Sequence, residues 1–294
     1  NTLLLGWVRS DGALQVVRSA DNGATFGTLQ NLVTASANTH RGVRTGTTHW
    51  AIAWEDKRNA GLNAAFTDVY VRVSTDDGIS YGVEQRADRD PAGAHESRLA
   101  GLAASGSDNL FVAYQDTRPD GNSYNVWANR SVAAPLDLSL NERRVDADTW
   151  TDNVWQYGWP AVATDGADHV YVAYAAAPVG PWTDLYVAAS ADRGRSFPRT
   201  TRVSTNAPGT QPSEYWRLSA QPDGTVYAAW YRQTGATSYD LVVSRSRDFG
   251  QTWLATDKVV ATNNNIYYFD LESLPGGTVY VSYTQNGATI YLIR

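Results

Sequence analysis

Aromatic and charged side chains gather where several short apolar runs of this chain begin. His95, Glu96 and Arg98 stand together, Tyr157 and Trp159 flank a glycine, Glu214, Tyr215, Trp216 and Arg217 are consecutive, and Tyr267 and Tyr268 precede Phe269 and Asp270. Flat aromatic faces stack on sugar rings and on peptide side chains, while neighbouring guanidinium and carboxylate groups supply the donors and acceptors that fix orientation. Tyr157, Trp159, Tyr215, Trp216, Arg217 and Tyr267, with Arg98 and His95, are therefore the candidate ligand-binding residues, and the ligand class is a glycan or a protein. Because a strand points successive side chains to opposite faces, about half of Tyr157, Trp159, Tyr215, Trp216, Tyr267 and Tyr268 are expected to reach a ligand, their neighbours packing sideways.

Other groups invite metal or acid-base chemistry and are given a simpler reading. Trp54-x-Asp56-x-Arg58 and Tyr114-x-Asp116-x-Arg118 repeat one arrangement, which argues for a structural tie between Asp and Arg. Asp88 with Asp90, and Asp146 with Asp148, could hold Ca²⁺ through oxygen ligands. Their spacing lacks the glycine and terminal glutamate of a helix-loop-helix calcium site, so solvated linkers are the expectation. The four histidines, His40, His49, His95 and His169, are not spaced as a metal set. No cofactor is expected, a structural Ca²⁺ being the one ion these acids could take.

The elements that must position these groups repeat along the chain. An apolar run ending in an aromatic recurs as Leu4 to Trp7, Ala51 to Trp54, Phe111 to Tyr114, Tyr171 to Tyr174, Tyr227 to Trp230 and Tyr280 to Tyr283. Each is followed by a second run; the first five end at Ser19, Ser74, Ser131, Ser190 and Ser246, spaced 55, 57, 59 and 56 residues apart, and the sixth is Ile290 to Arg294. After four of these serines comes one pattern, Ser-x-Asp-x-Gly-x-Thr/Ser-aromatic: Ser19 to Phe26, Ser74 to Tyr81, Ser190 to Phe197 and Ser246 to Trp253. In it the Asp can accept backbone N–H bonds, the Gly supplies a positive φ, the hydroxyl ties the loop and the aromatic returns to the core. After Ser131 the pattern is lost while the flanking runs survive. A period near 55 with several short strands per repeat predicts an all-β, six-bladed β-propeller of four-stranded antiparallel blades, residues 1–294 forming one domain.

The repeated turn resembles the Asp-box, or BNR, repeat of sialidases and other secreted β-propellers. That resemblance implies that the turns lie on outer hairpins with a structural role, and that ligands meet the central face of the ring. It also offers an enzymatic alternative. Sialidases of this class clamp a substrate carboxylate with three arginines and use a Tyr nucleophile activated by a Glu. Glu214, followed by Asp223-Gly224-Thr225 and Arg232, resembles their Glu-to-Arg segment, with Tyr268 as the nucleophile's counterpart. The Arg-Ile-Pro motif that carries the first clamp arginine is absent, and none of the arginines after Arg232 makes a convincing third member of the clamp. The expected function is a binding or scaffold propeller with a ligand on its aromatic central face, the alternative being a sialidase-like exo-glycoside hydrolase with a Tyr/Glu pair.

Composition narrows the partners. A net charge of −6 argues against nucleic acid, whose phosphates call for a basic surface. No apolar run approaches the length of a membrane-spanning helix. Zero cysteine excludes disulfides, thiol nucleophiles and Cys-ligated zinc. The absence of an initiating Met, with the resemblance, points to a processed, secreted, extracellular protein. The first repeat lacks an innermost strand and the last stops before its outer strand, so the seam blade is expected to be completed by further residues, a neighbouring domain or another chain.

Overall fold

A computed structural model describes residues 2–61, 66–106, 109–118, 124–131, 137–138, 141–146, 159–262, 266–285 and 289–293. Among them there is no helix, and every strand pair of known direction is antiparallel. The first sheet joins β1 (Leu3–Val8), β2 (Leu14–Ser19) and β3 (Gln30–Val33). The second joins β4 (Ala37–Thr45), β5 (His49–Asp56), β6 (Asp68–Ser74) and β7 (Gln85–Arg86). The third joins β8 (Ser97–Ser105), β9 (Asn109–Asp116), β10 (Asn125–Ser131) and β11 (Arg143–Arg144). Next come β12 (Ala161–Thr164), β13 (Val170–Ala176), β14 (Asp184–Ser190) and β15 (Arg199–Arg202). The fifth sheet holds β16 (Ser213–Ala220), β17 (Val226–Gly235), β18 (Ser238–Ser246) and β19 (Lys258–Ala261), and the sixth β20 (Ile266–Leu274), β21 (Thr278–Gln285) and β22 (Thr289–Ile293). Each sheet is a meander in chain order, as hairpins after every strand require.

The chain divides into two compact units, residues 1–122 with 127–143, and residues 123–126 with 144–294. In the first, Ala51, Ala53, Val69, Val71, Leu99, Val112 and Tyr114 form one core and Leu14, Val16, Ile52 and Trp54 another. In the second, Tyr171, Ala173, Val187, Trp216, Ala228 and Trp230 pack together, as do Tyr227, Ala229, Tyr231, Phe269, Leu271 and Tyr283. Alternate residues of β17 thus enter opposite cores. A strand covered on both faces must be apolar on both, which explains the unbroken apolar runs seen in the sequence.

The four Ser-x-Asp turns share one set of hydrogen bonds. Ser19 Oγ donates to Asp21 Oδ1 at 2.7 Å and accepts from Gly23 N at 2.8 Å, while Asp21 accepts from Thr25 N at 2.9 Å and from Thr25 Oγ1 at 2.6 Å. The same bonds recur at Ser74, Ser190 and Ser246. Asn22, Asp77, Arg193 and Phe249 take φ of 58–60°, and the glycine after each continues at 71–89°. Hydrogen bonds from the Thr or Ser hydroxyl hold the Asp21, Asp76 and Asp248 carboxyls down at about 2. The two aromatic-x-Asp-x-Arg segments also match: Asp56 accepts from Arg58 N at 2.9 Å and Arg58 Nη2 at 2.5 Å, and Asp116 from Arg118 N at 2.7 Å and Nη2 at 2.6 Å. Both aspartates are fully buried, so the expected structural tie is what forms.

Candidate functional site

The most unusual backbone in the second unit lies at the start of β16. Ser213 pairs with Arg232 and Glu214 with Tyr231, but Tyr215 is skipped and Trp216 pairs with Trp230. Tyr215 sits in the bulge with a φ of +44°, a region costly for a residue with a Cβ. Such strain persists only where the surroundings impose it, and it concentrates at functional sites. The bulge keeps Tyr215 half exposed while both neighbours are enclosed, Glu214 at 6% and Trp216 at 1% exposure. Glu214 therefore carries a carboxyl into the protein. Among the described residues nothing donates a hydrogen bond or offers a cation to it, and burial pushes it up to about 7. An acid in that state holds its proton near neutrality and can give it up, as a general acid must.

Aromatic rings surround this carboxyl's ladder. Tyr231, opposite Glu214, meets Tyr215 edge-on at 5.9 Å between centroids and Phe269 of β20 at 4.8 Å. The Tyr231 hydroxyl is buried without a hydrogen-bond partner among the described residues, and burial raises its pKa. Arg217 lies 5.5 Å over the Phe269 ring and 3.6 Å from Asp270, leaving much of its guanidinium in solvent. At the end of the β16–β17 ladder nearest Glu214, Gln233 N donates to Pro212 O at 3.0 Å. A cleft of about 480 Å³ opens there, lined by Trp182, Gln211, Pro212, Gln233 and Thr234 among others. Its size is that of a small-molecule site, and Trp182 presents a partly exposed ring to it.

The other candidates are placed as follows. Trp216 donates Nε1–H to Ala173 O at 3.0 Å from within the core, which sets its ring in packing against β13. Arg232 is held by Asp240 at 3.1 Å and Asp257 at 3.6 Å, so its charge is already matched within the fold. Tyr268 is 77% exposed and its backbone N–H donates to Thr284 Oγ1 at 3.2 Å. Trp159 is also exposed. Tyr157, and the side chain of Tyr267, lie outside the described residues. In the first unit, Arg98 Nε pairs with Glu96 at 2.7 Å and His95 Nδ1 with Asp90 at 2.9 Å. Glu55, close enough to feel the Arg98 charge, accepts from Asn38 Nδ2 at 2.9 Å, and burial raises its pKa.

Sequence reasoning passed over Tyr231 and Trp182. Tyr231 reads as the last residue of an apolar strand, and only its register opposite Glu214 distinguishes it. Trp182 follows Pro181 in a loop, where an aromatic with no strand to serve is itself a signal.

No known protein-family profile matches the chain, and no curated protein does. Solved structures do. An α-L-arabinanase of Penicillium chrysogenum, complexed with arabinobiose, is similar at 17% identity and a TM-score of 0.54, over 96% of this chain and 85% of that one. A protein of unknown function from Dyadobacter fermentans is similar at 15% identity and a TM-score of 0.56, over 84% and 75%. A mutant Trypanosoma rangeli sialidase displaying trans-sialidase activity is similar at 12% identity and a TM-score of 0.54, over 96% of this chain and 48% of that one. The present chain thus spans about half the length of that sialidase. The chain shares the β-propeller fold of these structures.

Proposed function

We propose that this chain is a six-bladed, carbohydrate-binding β-propeller whose ligand enters the cleft beside Trp182 and Gln233 and meets Tyr215, Arg217 and Glu214. The observation that carries the reading is the strained bulge at Tyr215, which presents one ring outward and turns an unpaired carboxyl inward. Exposed Tyr215 and Trp182 supply faces for pyranose or furanose rings, and Arg217 and Gln233 supply polar contacts. The likeness of fold to an arabinanase and a sialidase supports a glycan in preference to a protein partner. An extracellular setting belongs to the same proposal.

A second reading, glycoside hydrolysis, is favoured by one specific observation, the Glu214 carboxyl pushed up to about 7. A glutamic acid that is still protonated at neutral pH can protonate a glycosidic oxygen as the bond breaks. The sialidase-like version, with Tyr268 as nucleophile and Arg232 as clamp, has less support, because Arg232 is spoken for by Asp240 and Asp257.

A glycan array, followed by release assays on fluorogenic arabinosides and sialosides, tests both. Binding weakened at least tenfold by Tyr215→Ala and by Trp182→Ala supports the site, and absence of any carbohydrate binding overturns it. Turnover lost in Glu214→Gln with binding retained establishes the hydrolase. Turnover that instead disappears in Tyr268→Phe restores the tyrosine nucleophile.

A further inference from the structure

The linker between β7 and β8 had the look of a solvated acidic stretch, yet Asp88 and Asp90 are both buried. They meet Asp68, at the start of β6, and one carboxylate oxygen from each of the three lies within 4.8 Å of the others. Among the described residues the cation that faces them is Arg86, at 3.4 Å from Asp68 and 3.3 Å from Asp88. His95 Nδ1 lies 2.9 Å from Asp90 Oδ2, within hydrogen-bond reach, and Asn59 Nδ2 donates to Asp68 Oδ2 at 2.7 Å. Two of their oxygens, Asp90 Oδ1 and the Asp88 Oδ2 that Arg86 approaches at 3.3 Å, are buried and accept no hydrogen bond among the described residues. The side chains that carry them are 0% and 3% exposed.

The second unit contains the same construction without the excess charge. Asp184 stands where Asp68 does: Gly209 N donates to it at 3.0 Å as Gly93 N does to Asp68 at 3.1 Å. Both glycines have φ of 66–67°, and a Cβ on either would strike a carbonyl oxygen at 1.8–1.9 Å. Arg202 pairs with Asp184 at 2.6 Å and reaches the Asn206 carbonyl, as Arg86 reaches that of Asp90. Ser204 Oγ donates to Asp184 at 3.1 Å and accepts from Leu185 N at 3.3 Å. Asp88 occupies the Ser204 position, accepting from Val69 N at 2.6 Å, and Asp90 occupies that of Asn206. One site is a matched pair of Asp and Arg, with a hydroxyl hydrogen filling the gap between its oxygens. The other has replaced that hydroxyl and an amide by two carboxylates, so Asp68 and Asp88 share one guanidinium and Asp90 pairs with His95.

From this internal comparison we infer that Asp68, Asp88 and Asp90 bind a hard divalent cation of the Ca²⁺ class in the first unit. The donor atoms are all carboxylate oxygens, the ligand set Ca²⁺ prefers, and the excess over the neutral repeat is two negative charges, which one divalent ion cancels. His95 orients Asp90 from outside the ligand set, as outer partners of metal-bound carboxylates do. The ion would pin the β7–β8 linker to the start of β6, with a structural role apart from any glycan site.

The test uses the whole chain, stripped with chelator and titrated with CaCl₂, with ionic-strength-matched NaCl as control. One equivalent of Ca²⁺ should bind in calorimetry with Kd of about 1 mM or tighter, and the thermal midpoint should rise with Ca²⁺ and saturate. The Asp88→Ser/Asp90→Asn double variant, which copies the neutral construction of the second unit, should fold and lose both responses. Asp90→Asn alone, with Asp88 still facing Arg86, should weaken binding at least tenfold. A native chain that binds no Ca²⁺, or a double variant that binds it as the native chain does, overturns the assignment.

Discussion

Glu214 and Tyr231 face each other across the antiparallel ladder of β16 and β17, one a carboxyl and the other a phenol, both almost wholly removed from solvent. Neither polar group has a partner among the described residues. Leaving a buried polar group unsatisfied costs about 1–3 kcal/mol, so a fold that strands the Tyr231 hydroxyl gives up stability for some other purpose. Proton transfer and ligand hydrogen bonding are the uses such groups have.

The pH dependence of stability should reveal Glu214. In the unfolded chain it titrates near its ordinary value of about 4.3, and in the folded chain at about 7. Below the lower value both states hold the proton. As pH rises between the two, the unfolded chain releases it while the folded chain must keep it, and above the higher value the fold carries a buried charge. Native stability should thus decline from about pH 4 to pH 7 by about 3 kcal/mol, less to the extent that solvent screens the carboxylate. Urea melts of Glu214→Gln across that range should show a flatter profile and a more stable protein at pH 8; a profile parallel to the native one would contradict the buried, unpaired state.

Trp216 and Tyr268 should separate packing from exposure. Trp216→Ala removes a ring from the centre of a core and leaves the Ala173 carbonyl without its donor, at a cost of about 3–5 kcal/mol. Tyr268→Ala should change stability by no more than about 0.5 kcal/mol, since the ring is largely in solvent. Denaturation midpoints of the two variants, measured together, check the placement, and equal losses would contradict it.

Asp56 collects Ser36 Oγ, Trp54 Nε1, Arg58 N and the Arg58 guanidinium around one buried carboxylate. Its pKa is lowered: burial works to raise it, and the bonds from Arg58, Ser36 and Trp54 prevail. Asp56→Ala should cost about 3–5 kcal/mol, because a buried pair broken on one side strands its donors. Thermal unfolding of this variant beside Arg58→Ala should give similar losses, and a double variant should lose much less than the two added together.

Ser74 carries the hub of its turn, giving its hydrogen to Asp76 and accepting from Gly78 N at 2.8 Å. Ser74→Ala should lower stability by about 1–2 kcal/mol. Amide exchange at Gly78 and Ser80, whose N–H groups those two side chains hold, should quicken in the variant while exchange in β5 is unchanged. Equal acceleration throughout the unit would show that the turn does not act locally.

The strands, their antiparallel order and the four serine-aspartate turns could be read from the amino-acid sequence because the forces that make them are local. Ser74, Asp76, Gly78 and Ser80 bond to one another within six residues, and the apolar runs of β5, β9, β13 and β17 declare burial on both faces wherever neighbours come from. The tie of Asp56 to Arg58 was legible for the same reason. What adjacent residues do at a bulge was not. Period-2 alternation predicts that Tyr215 and Trp216 part company, but which one faces out, and that Glu214 is buried beside it, depends on a register shift set by β17. The partners of Arg232 were not legible either: Asp257, 25 positions along the chain, approaches it only in the fold. The acids of the β7–β8 linker looked solvated for a like reason: Asp88 and Asp90 are two positions apart, whereas Asp68, which joins them into one buried charge cluster, arrives through the pairing of β6 with β7. Hydrogen bonds within a turn are encoded where they act, whereas burial and charge balance are sums over residues that only tertiary structure brings together.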